Sequence, residues 1–394
     1  MTERHRRDHA ACWLLLQQTF GTGTRRAHLF CERYGGAQRL LSPDRGWLDD
    51  PFFSEQERRA LRCPDLAEQE AAVAQAERLG AVLLTPDSPE YPQNLRHIHA
   101  MPLVLWAEGE LSLLQRPLVT MVGTRNPDAY GRRAAKTLAE ELASLGAVVV
   151  SGLAVGIDGI CHEAALDAGG TTAAILAAGL AVDYPRENRA LRSRIRRGGL
   201  LLTEYSPDVP PLSGNFPVRN RLLSGISAGT VAVQTRAAGG TMLTARRAIE
   251  QGKPLFAVPD GIFSAFDGAG LLLGKGAKPA LSGRQVLADC LPSGEIPVAL
   301  SARPEAAPSK QAAHSPKQAA FSPEQAAHSP EQMALSPEQA AVLAALAEGP
   351  ETVSQLCERC ALPAGVVLAA LTALELLGLA RLLPGRMAEA VHRL

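Results

Sequence analysis

Five arginines lie in a stretch of the sequence that contains no acidic residue. No Asp or Glu occurs between residues 209 and 249, and two of the arginines flank an asparagine in the segment FPVRNRLLSG at 216–225. A guanidinium group can bind phosphate through two parallel hydrogen bonds and can also stack on a base. We interpret the stretch as part of an anion site; a solvated basic face paired with distant acids is the alternative. The arginines are Arg219, Arg221, Arg236, Arg246 and Arg247.

Three glycine-containing segments each follow a predicted strand. They are Gly123-Thr124-Arg125, the loop Ser151–Gly159 with Gly152 and Gly156, and Gly239-Gly240-Thr241. Glycines at such positions let backbone N–H groups approach an anion, and a following helix N-terminus adds a favourable dipole. The 151–159 loop matches neither GxGxxG nor the Walker A pattern, which disfavours a dinucleotide or ATP site. We therefore predict phosphate binding without a cofactor; tight packing of the loop alone is the alternative.

Asp158 and His162 are four residues apart and are expected to share a helix face, as an acid/base pair or metal ligands would. Asp158 is equally well placed to stabilise the start of that helix or to pair with an arginine. The sequence has no HExxH or GxSxG motif, and its one CxxC, Cys357 and Cys360, has no second pair of ligands at zinc spacing. We predict neither a catalytic nor a metal site.

The elements that must position these residues alternate between strand-like and helix-like patterns. Apolar strands with amphipathic helices between them indicate a sheet that is covered on both faces. We predict an α/β, extended Rossmann-like, doubly wound parallel sheet over residues 116–292, which binds its ligand where the strand order reverses. The predicted strands are 118–122, 147–150, 172–176, 200–203, 230–234 and 254–258, and the predicted helices are 132–145, 156–168, 187–197 and 243–251.

Three further regions flank this domain. Residues 1–115 are predicted to be mostly helical, of helix-hairpin-helix or SAM-like type, and their turn Gly21-Thr22-Gly23-Thr24 either contacts a DNA phosphate or simply stops a helix. Residues 293–335 form a low-complexity linker with a seven-residue repeat such as SPEQAAH. Ser336 is expected to cap the first of three helices in a winged-helix-like domain at 336–394. The third helix carries almost no charge, so contact with DNA and contact with protein both remain open.

Composition limits the partners. The chain has 394 residues with 40 Lys+Arg against 40 Asp+Glu, so a polyanion must be bound by a local patch. Seven scattered cysteines suggest reduced thiols in the cytoplasm. The apolar run at 10–16 is too short for a signal peptide or a membrane span, and no membrane partner is expected.

Taken in order, the motifs resemble those of the DNA-processing protein A (DprA/Smf) family. The similarity extends over about 145 residues of the middle region and includes, in chain order, VGTR (122–125), SGLAVGID (151–158) with His162, YPREN (184–188), LLTEY (201–205), NFPVRNR (215–221), GGTMLTA (239–245) and AVPDGIF (257–263).

The resemblance implies binding and not turnover. It implies a protein that captures single-stranded DNA, loads the RecA recombinase during natural transformation, and forms a homodimer through the Rossmann-like domain. Arg125, Arg219 and Arg221 would line the basic pocket. The predicted DNA-binding residues are Gly123, Thr124, Arg125, Gly152, Gly156, Asp158, Phe216, Arg219, Asn220, Arg221, Gly240 and Thr241.

An enzyme remains the alternative. Gly239-Gly240-Thr241 resembles the glycine loop of lysine-decarboxylase-like phosphoribohydrolases, although no Glu follows until Glu250. Such a hydrolase, or a nuclease, would use Asp158, His162 or Glu204 as its acid or base. The chain also departs from the DNA-processing family's pattern at Val155, Gln234 and Gly239.

Overall fold

The computed structural model describes residues 3–64, 66–261, 264–291, 336–347, 349–376, 379–383 and 387–390. The chain divides into two compact units, Met1–Ser301 and Ala302–Leu394. The predicted linker at 293–335 lies outside the described residues, as does the end of the AVPDGIF segment.

A nine-stranded sheet forms the centre of the first unit. Its strands are β1 (Ala81–Leu84), β2 (Leu105–Gly109), β3 (Leu118–Val122), β4 (Val148–Ser151), β5 (Thr171–Ile175), β6 (Leu200–Thr203), β7 (Gly229–Ala232), β8 (Leu255–Ala257) and β9 (Lys278–Pro279). They are ordered β1-β2-β6-β5-β4-β3-β7-β8-β9. The pairs from β6 to β9 are parallel, whereas β1 and β2 are antiparallel to their neighbours. The strand order reverses between β3 and β7, as in a doubly wound fold.

Helices cover the two faces of this sheet. They are α1 (Glu3–Phe20), α2 (Arg25–Tyr34), α3 (Gln38–Leu41), α4 (Glu55–Arg62), α5 (Ala67–Arg78), α6 (Ala129–Ser144), α7 (Ile157–Asp167), α8 (Arg189–Gly198), α9 (Asn215–Ile226), α10 (Gly240–Glu250), α11 (Gly268–Gly274) and α12 (Gly283–Cys290). The strands and helices predicted within 116–292 are all present, with ends that shift by at most three residues. The Rossmann-like fold class is therefore confirmed.

Each face of the sheet has its own apolar core because successive side chains of a strand point to opposite sides. Leu118 and Val122 of β3 belong to a core that also contains Phe30 of α2. Val119 and Met121, which alternate with them, belong to the core beneath α6, α7 and α12. The N-terminal helices thus cover one face of the sheet and share its core.

The predicted helical N-terminal region is confirmed, and it also contains two short strands that the sequence pattern did not predict. Strands β1 and β2 lie within it, and β2 pairs with β6 in a register that places Trp106 opposite Thr203. Trp106 is completely buried. The compact unit also continues through the predicted boundary at 115/116. Segments as short as AVLL have no periodicity that separates strand from helix, and they become strands through tertiary pairing, β2 with β6 and β1 with β2.

The second unit is a winged helix, as predicted. It contains α13 (Pro337–Leu346), β10 (Glu351–Thr352), α14 (Val353–Cys360), α15 (Ala364–Leu376), β11 (Ala380–Leu383) and β12 (Met387–Ala390), with an antiparallel sheet ordered β10-β12-β11. Ser336 and Gln339 form the predicted capping box at the start of α13. Among the described residues no single helix is long and apolar enough to cross a membrane, although α14 and α15, bent by 107°, together have the length and composition of a span.

Candidate nucleic-acid interface

A pocket of about 340 Å³ opens at the carboxyl ends of β3 and β7. Val122 at the end of β3 and the following residues 123–125 lie along one side of it, and Thr235 and Arg236 follow β7 along the other. The loop after β4 and the first turns of α9 and α10 complete the wall. The pocket therefore lies at the point where the strand order reverses, which is the usual ligand position in such sheets.

The pocket collects most of the predicted site residues. Nine of the twelve line it: Gly123, Thr124, Arg125, Asp158, Phe216, Arg219, Asn220, Gly240 and Thr241. Gly152, Gly156 and Arg221 do not. Arg236 lines the pocket although it was not among the predicted site residues, and its place two residues after a predicted strand was the signal that could have identified it.

Two of the arginines that line the pocket are exposed. The Arg125 guanidinium carbon lies 5.7 Å from the centre of the Phe216 ring, and that of Arg236 lies 5.7 Å from the Phe266 ring. Neither arginine has a carboxylate partner within the part of the chain that the structure describes. Stacking on an aromatic ring holds a guanidinium group in place while its N–H groups remain free for a phosphate.

Arg219, by contrast, is buried, with 4% of its surface exposed. Its Nη1 donates to the carbonyl oxygen of Gly152 at 3.0 Å and also to that of Ile175, and its Nε donates to Asn220 Oδ1 at 3.2 Å. Burial lowers the pKa of Arg219, and the nearby Asp158 carboxylate opposes this. The guanidinium group thus ties the end of β5 to the loop after β4. These contacts favour a positioning role for Arg219 and agree with Asn220 fixing its orientation.

Arg221 points away from the pocket, and its Nη2 lies 2.7 Å from Oε1 of Glu204. Both side chains are buried. Arg246 and Arg247 similarly pair with Glu250. These three arginines therefore have carboxylate partners, which lie just outside the acid-free stretch 209–249.

Asp158, which lines the pocket, and His162, which is buried and does not line it, both bond to the surrounding protein. Asp158 Oδ2 accepts hydrogen bonds from the backbone N–H groups of Gly152 at 3.2 Å and Ala154 at 3.4 Å. Burial raises the pKa of the Asp158 carboxyl, which Arg219 partly offsets. His162 Nδ1 lies 2.6 Å from Thr172 Oγ1, and burial, helped by Arg219, lowers the pKa of His162 to about 3. Within the described ranges no group of three His, Cys, Asp or Glu side chains could hold a metal ion.

Gly156 allows the loop after β4 to approach the loop after β3. Its φ is +84°, and a Cβ at this position would collide with the carbonyl oxygens of Thr124 and Arg125. A side chain at 156 would therefore push the VGTR segment out of position. Gly156 shapes the pocket wall without lining it.

The glycine turn between α1 and α2 packs against α9. Gly23 has a φ of +77°, and a Cβ there would lie 2.7 Å from Val218 Cγ1 and 3.6 Å from Arg221 Nε. Thr24 Oγ1 donates to the carbonyl oxygen of Phe20 at 2.9 Å. Of the two roles considered for this turn, the structure favours the helix stop, because Gly23 faces protein.

A doubly wound sheet with a basic pocket at the switch point, followed by a winged helix, defines a Rossmann-like class of protein suited to binding an anion. The family described as DNA recombination-mediator protein A matches residues 82–290, and the DprA winged helix domain matches residues 325–386. The chain therefore belongs to the DNA recombination-mediator protein A family, as its motifs indicated.

Individual relatives agree with this assignment. The chain is 40% identical to DNA processing protein DprA of Bacillus subtilis (strain 168) over 201 residues, which are 50% of this chain and 68% of that protein. It is 42% identical to Protein Smf of Escherichia coli (strain K12) over 181 residues, 46% of this chain and 48% of that protein. The X-ray structure of DprA from Streptococcus pneumoniae superposes with a TM-score of 0.57 at 30% identity, covering 70% of this chain and 95% of that one.

Proposed function

We propose that the chain binds single-stranded DNA in the switch-point pocket, without sequence preference, and delivers it to RecA during natural transformation. The observation that carries the proposal is the pair Arg125 and Arg236, two exposed cations that have no carboxylate partner among the described residues and lie on opposite sides of a pocket lined by glycine loops. Arginine side chains and backbone N–H groups would bind phosphates, which are the same in every sequence.

The size of the pocket favours a single strand over a duplex. Its 340 Å³ is at the small end of ligand pockets. Such a pocket suits one nucleotide, and a base can reach the half-buried Phe216 ring only when it is not paired in a helix. Stacking on an aromatic ring is tolerant of sequence because every base has a π-face.

The contacts of the pocket support binding over hydrolysis. Among its lining residues the one carboxylate is Asp158, which is buried and accepts hydrogen bonds from its own loop. Glu204 is paired with Arg221 away from the pocket, and His162 is fully buried. An acid or base for nucleotide or DNA cleavage would need to reach the substrate.

We also infer a homodimer formed through the Rossmann-like unit. Three large apolar side chains are exposed on elements near the β9 end of the sheet: Ile249 is 54% exposed, Leu271 45% and Leu281 72%. Light scattering should show a dimer that Leu281→Glu weakens.

The RecA step rests on the family resemblance alone, and we place it in the cytoplasm, consistent with seven free cysteines.

The winged-helix domain is proposed to contact protein. On α15 the side chains of Val366 and Leu368 are exposed, and the helix carries no basic residue. The arginines described in this unit are ion-paired, Arg359 with Glu351 and Arg381 with Glu389. A groove-reading helix instead displays basic or amide side chains towards the bases.

Fluorescence anisotropy with labelled oligo-dT and a mixed-sequence strand of equal length tests the DNA step. We expect similar affinities for the two strands and weaker competition by a duplex. A clear preference for the duplex, or release of nucleotides from the strand that disappears with Asp158→Asn, would contradict the proposal. RecA loading is tested separately, by the rate of RecA filament assembly on single strands with and without the protein.

A further inference from the structure

We propose that Tyr184 is a second base-stacking residue, onto which the strand passes as it leaves the pocket. The inference rests on the proposed function and adds the path of the nucleotide next to the one in the pocket. Tyr184 does not itself line the pocket.

Tyr184 continues a row of side chains that begins at the pocket wall. Arg125 lies over the Phe216 ring, and the Phe216 ring centre lies 5.8 Å from that of Tyr184, with the planes at 65°. Tyr184 is 37% exposed. Because the two rings are not coplanar, consecutive bases that stack on them must be splayed apart, which a single strand allows and a duplex does not.

The segment that carries Tyr184 is fixed to the pocket wall. Asn188 Nδ2 donates to the carbonyl oxygens of Leu153 and Ala154, both at 3.0 Å, and Ala154 lines the pocket. Gly159 leaves room for this contact, since a Cβ there would lie 3.2 Å from Asn188 Nδ2. A segment held in place before binding loses little conformational entropy when a base stacks on a ring that it carries.

An exposed tyrosine by itself is ordinary, because much of any protein surface is apolar. Tyr184 differs in that its ring contacts a pocket-lining ring at the site where a single strand would emerge. Tyr130, which is 40% exposed and does not line the pocket, serves as a matched control because its hydroxyl group donates to the carbonyl oxygen of Pro259.

The test uses the full chain and the shortest dT oligonucleotide that reaches full affinity. Tyr184→Ala should weaken binding by about 5- to 150-fold, the range expected for the loss of one base–aromatic stack. Tyr184→Phe should bind like wild type, Tyr184→Leu should be as weak as Tyr184→Ala, and Tyr130→Ala should have no effect. If Tyr184→Leu bound the oligonucleotide as tightly as wild type, side-chain bulk and not aromatic stacking would matter, and the proposal would be overturned.

Abasic substitutions separate stacking from support of Phe216. Each nucleotide of the oligonucleotide is replaced in turn by an abasic site, and the affinities of wild type and Tyr184→Ala are compared as double-mutant cycles. At one position the abasic site should weaken binding to wild type and hardly change binding to Tyr184→Ala. At another position it should weaken binding to both proteins. Identical profiles would refute the role of Tyr184 and leave the pocket proposal intact. Absence of any salt-dependent wild-type binding would instead refute the proposed function, and this inference with it.

Discussion

Replacing Arg221 should damage folding and leave DNA binding unchanged. The side chains of Arg221 and Glu204 are 8% and 1% exposed, and their Nη2–Oε1 distance is 2.7 Å. Removing either partner leaves a buried, uncompensated charge, which costs about 3–5 kcal/mol. We therefore expect Arg221→Ala and Glu204→Leu each to lower the free energy of unfolding by about that amount.

The double variant Arg221→Met/Glu204→Leu should recover most of this loss. Glu204 Oε2 and Arg221 Nε and Nη1 have no hydrogen-bond partner in the described residues. Because the ion pair is incompletely hydrogen-bonded, replacing it with apolar side chains loses little stabilisation. A coupling of about 3 kcal/mol or more is expected from the cycle.

Urea unfolding followed by tryptophan fluorescence measures this cycle in the right unit, because the three tryptophans, Trp13, Trp47 and Trp106, all lie within Met1–Ser301. The double variant should bind oligo-dT with wild-type affinity and salt dependence. If Arg221→Ala instead keeps its stability but loses affinity, Arg221 contacts phosphate and the present interpretation of its ion pair fails.

Two further predictions concern residues that support the pocket. Burial lowers the pKa of His162 to about 3 when folded, while the unfolded chain titrates near 6.5 and takes up the proton first. The free energy of unfolding should therefore fall as the pH drops from about 6.5 towards 3, by at most about 1.4 kcal/mol per pH unit. In urea unfolding, His162→Gln should flatten this pH dependence, whereas the exposed-site control His97→Gln should leave it unchanged. Equal slopes for His162→Gln and wild type would contradict the prediction. Gly23→Val places a side chain against Val218 and should lower the free energy of unfolding by about 1–3 kcal/mol more than Gly80→Val does, since Gly80 has a similar φ and no neighbour within 4 Å. Thermal unfolding compares the two variants. Equal losses of stability would mean that backbone strain alone acts.

The sheet of residues 116–292 was predictable because its strands are short apolar runs that alternate with amphipathic helices, a pattern that local sequence reveals. Helix α9 was not predicted, although it carries Phe216 and Arg219. Pro217 and Gly225 look like breaks in the sequence, but Pro217 is the third residue of the helix, where its missing N–H has no intrahelical partner to lose.

The position of the pocket was also predictable, since loops that follow parallel strands meet at one edge of the sheet. Which of its arginines are exposed and which are buried could not be predicted. Whether an arginine is exposed like Arg125 or buried against carbonyl oxygens like Arg219 depends on tertiary contacts, and Arg221 meets Glu204 only because α9 folds over the end of β6. The composition and spacing of the sequence are the same whether an arginine is exposed or buried, so the sequence does not separate the two roles.

The salt dependence of oligo-dT binding by Arg125→Ala/Arg236→Ala shows whether the switch-point pocket binds the DNA. Arg78→Ala/Arg284→Ala, which removes two exposed arginines outside the pocket, is the matched control. Losing two phosphate contacts should reduce the slope of log K against log salt by about 1.4, with a lower affinity at every salt concentration, whereas the control should match wild type. A pocket variant that keeps wild-type affinity and slope would contradict the claim that this pocket binds the DNA.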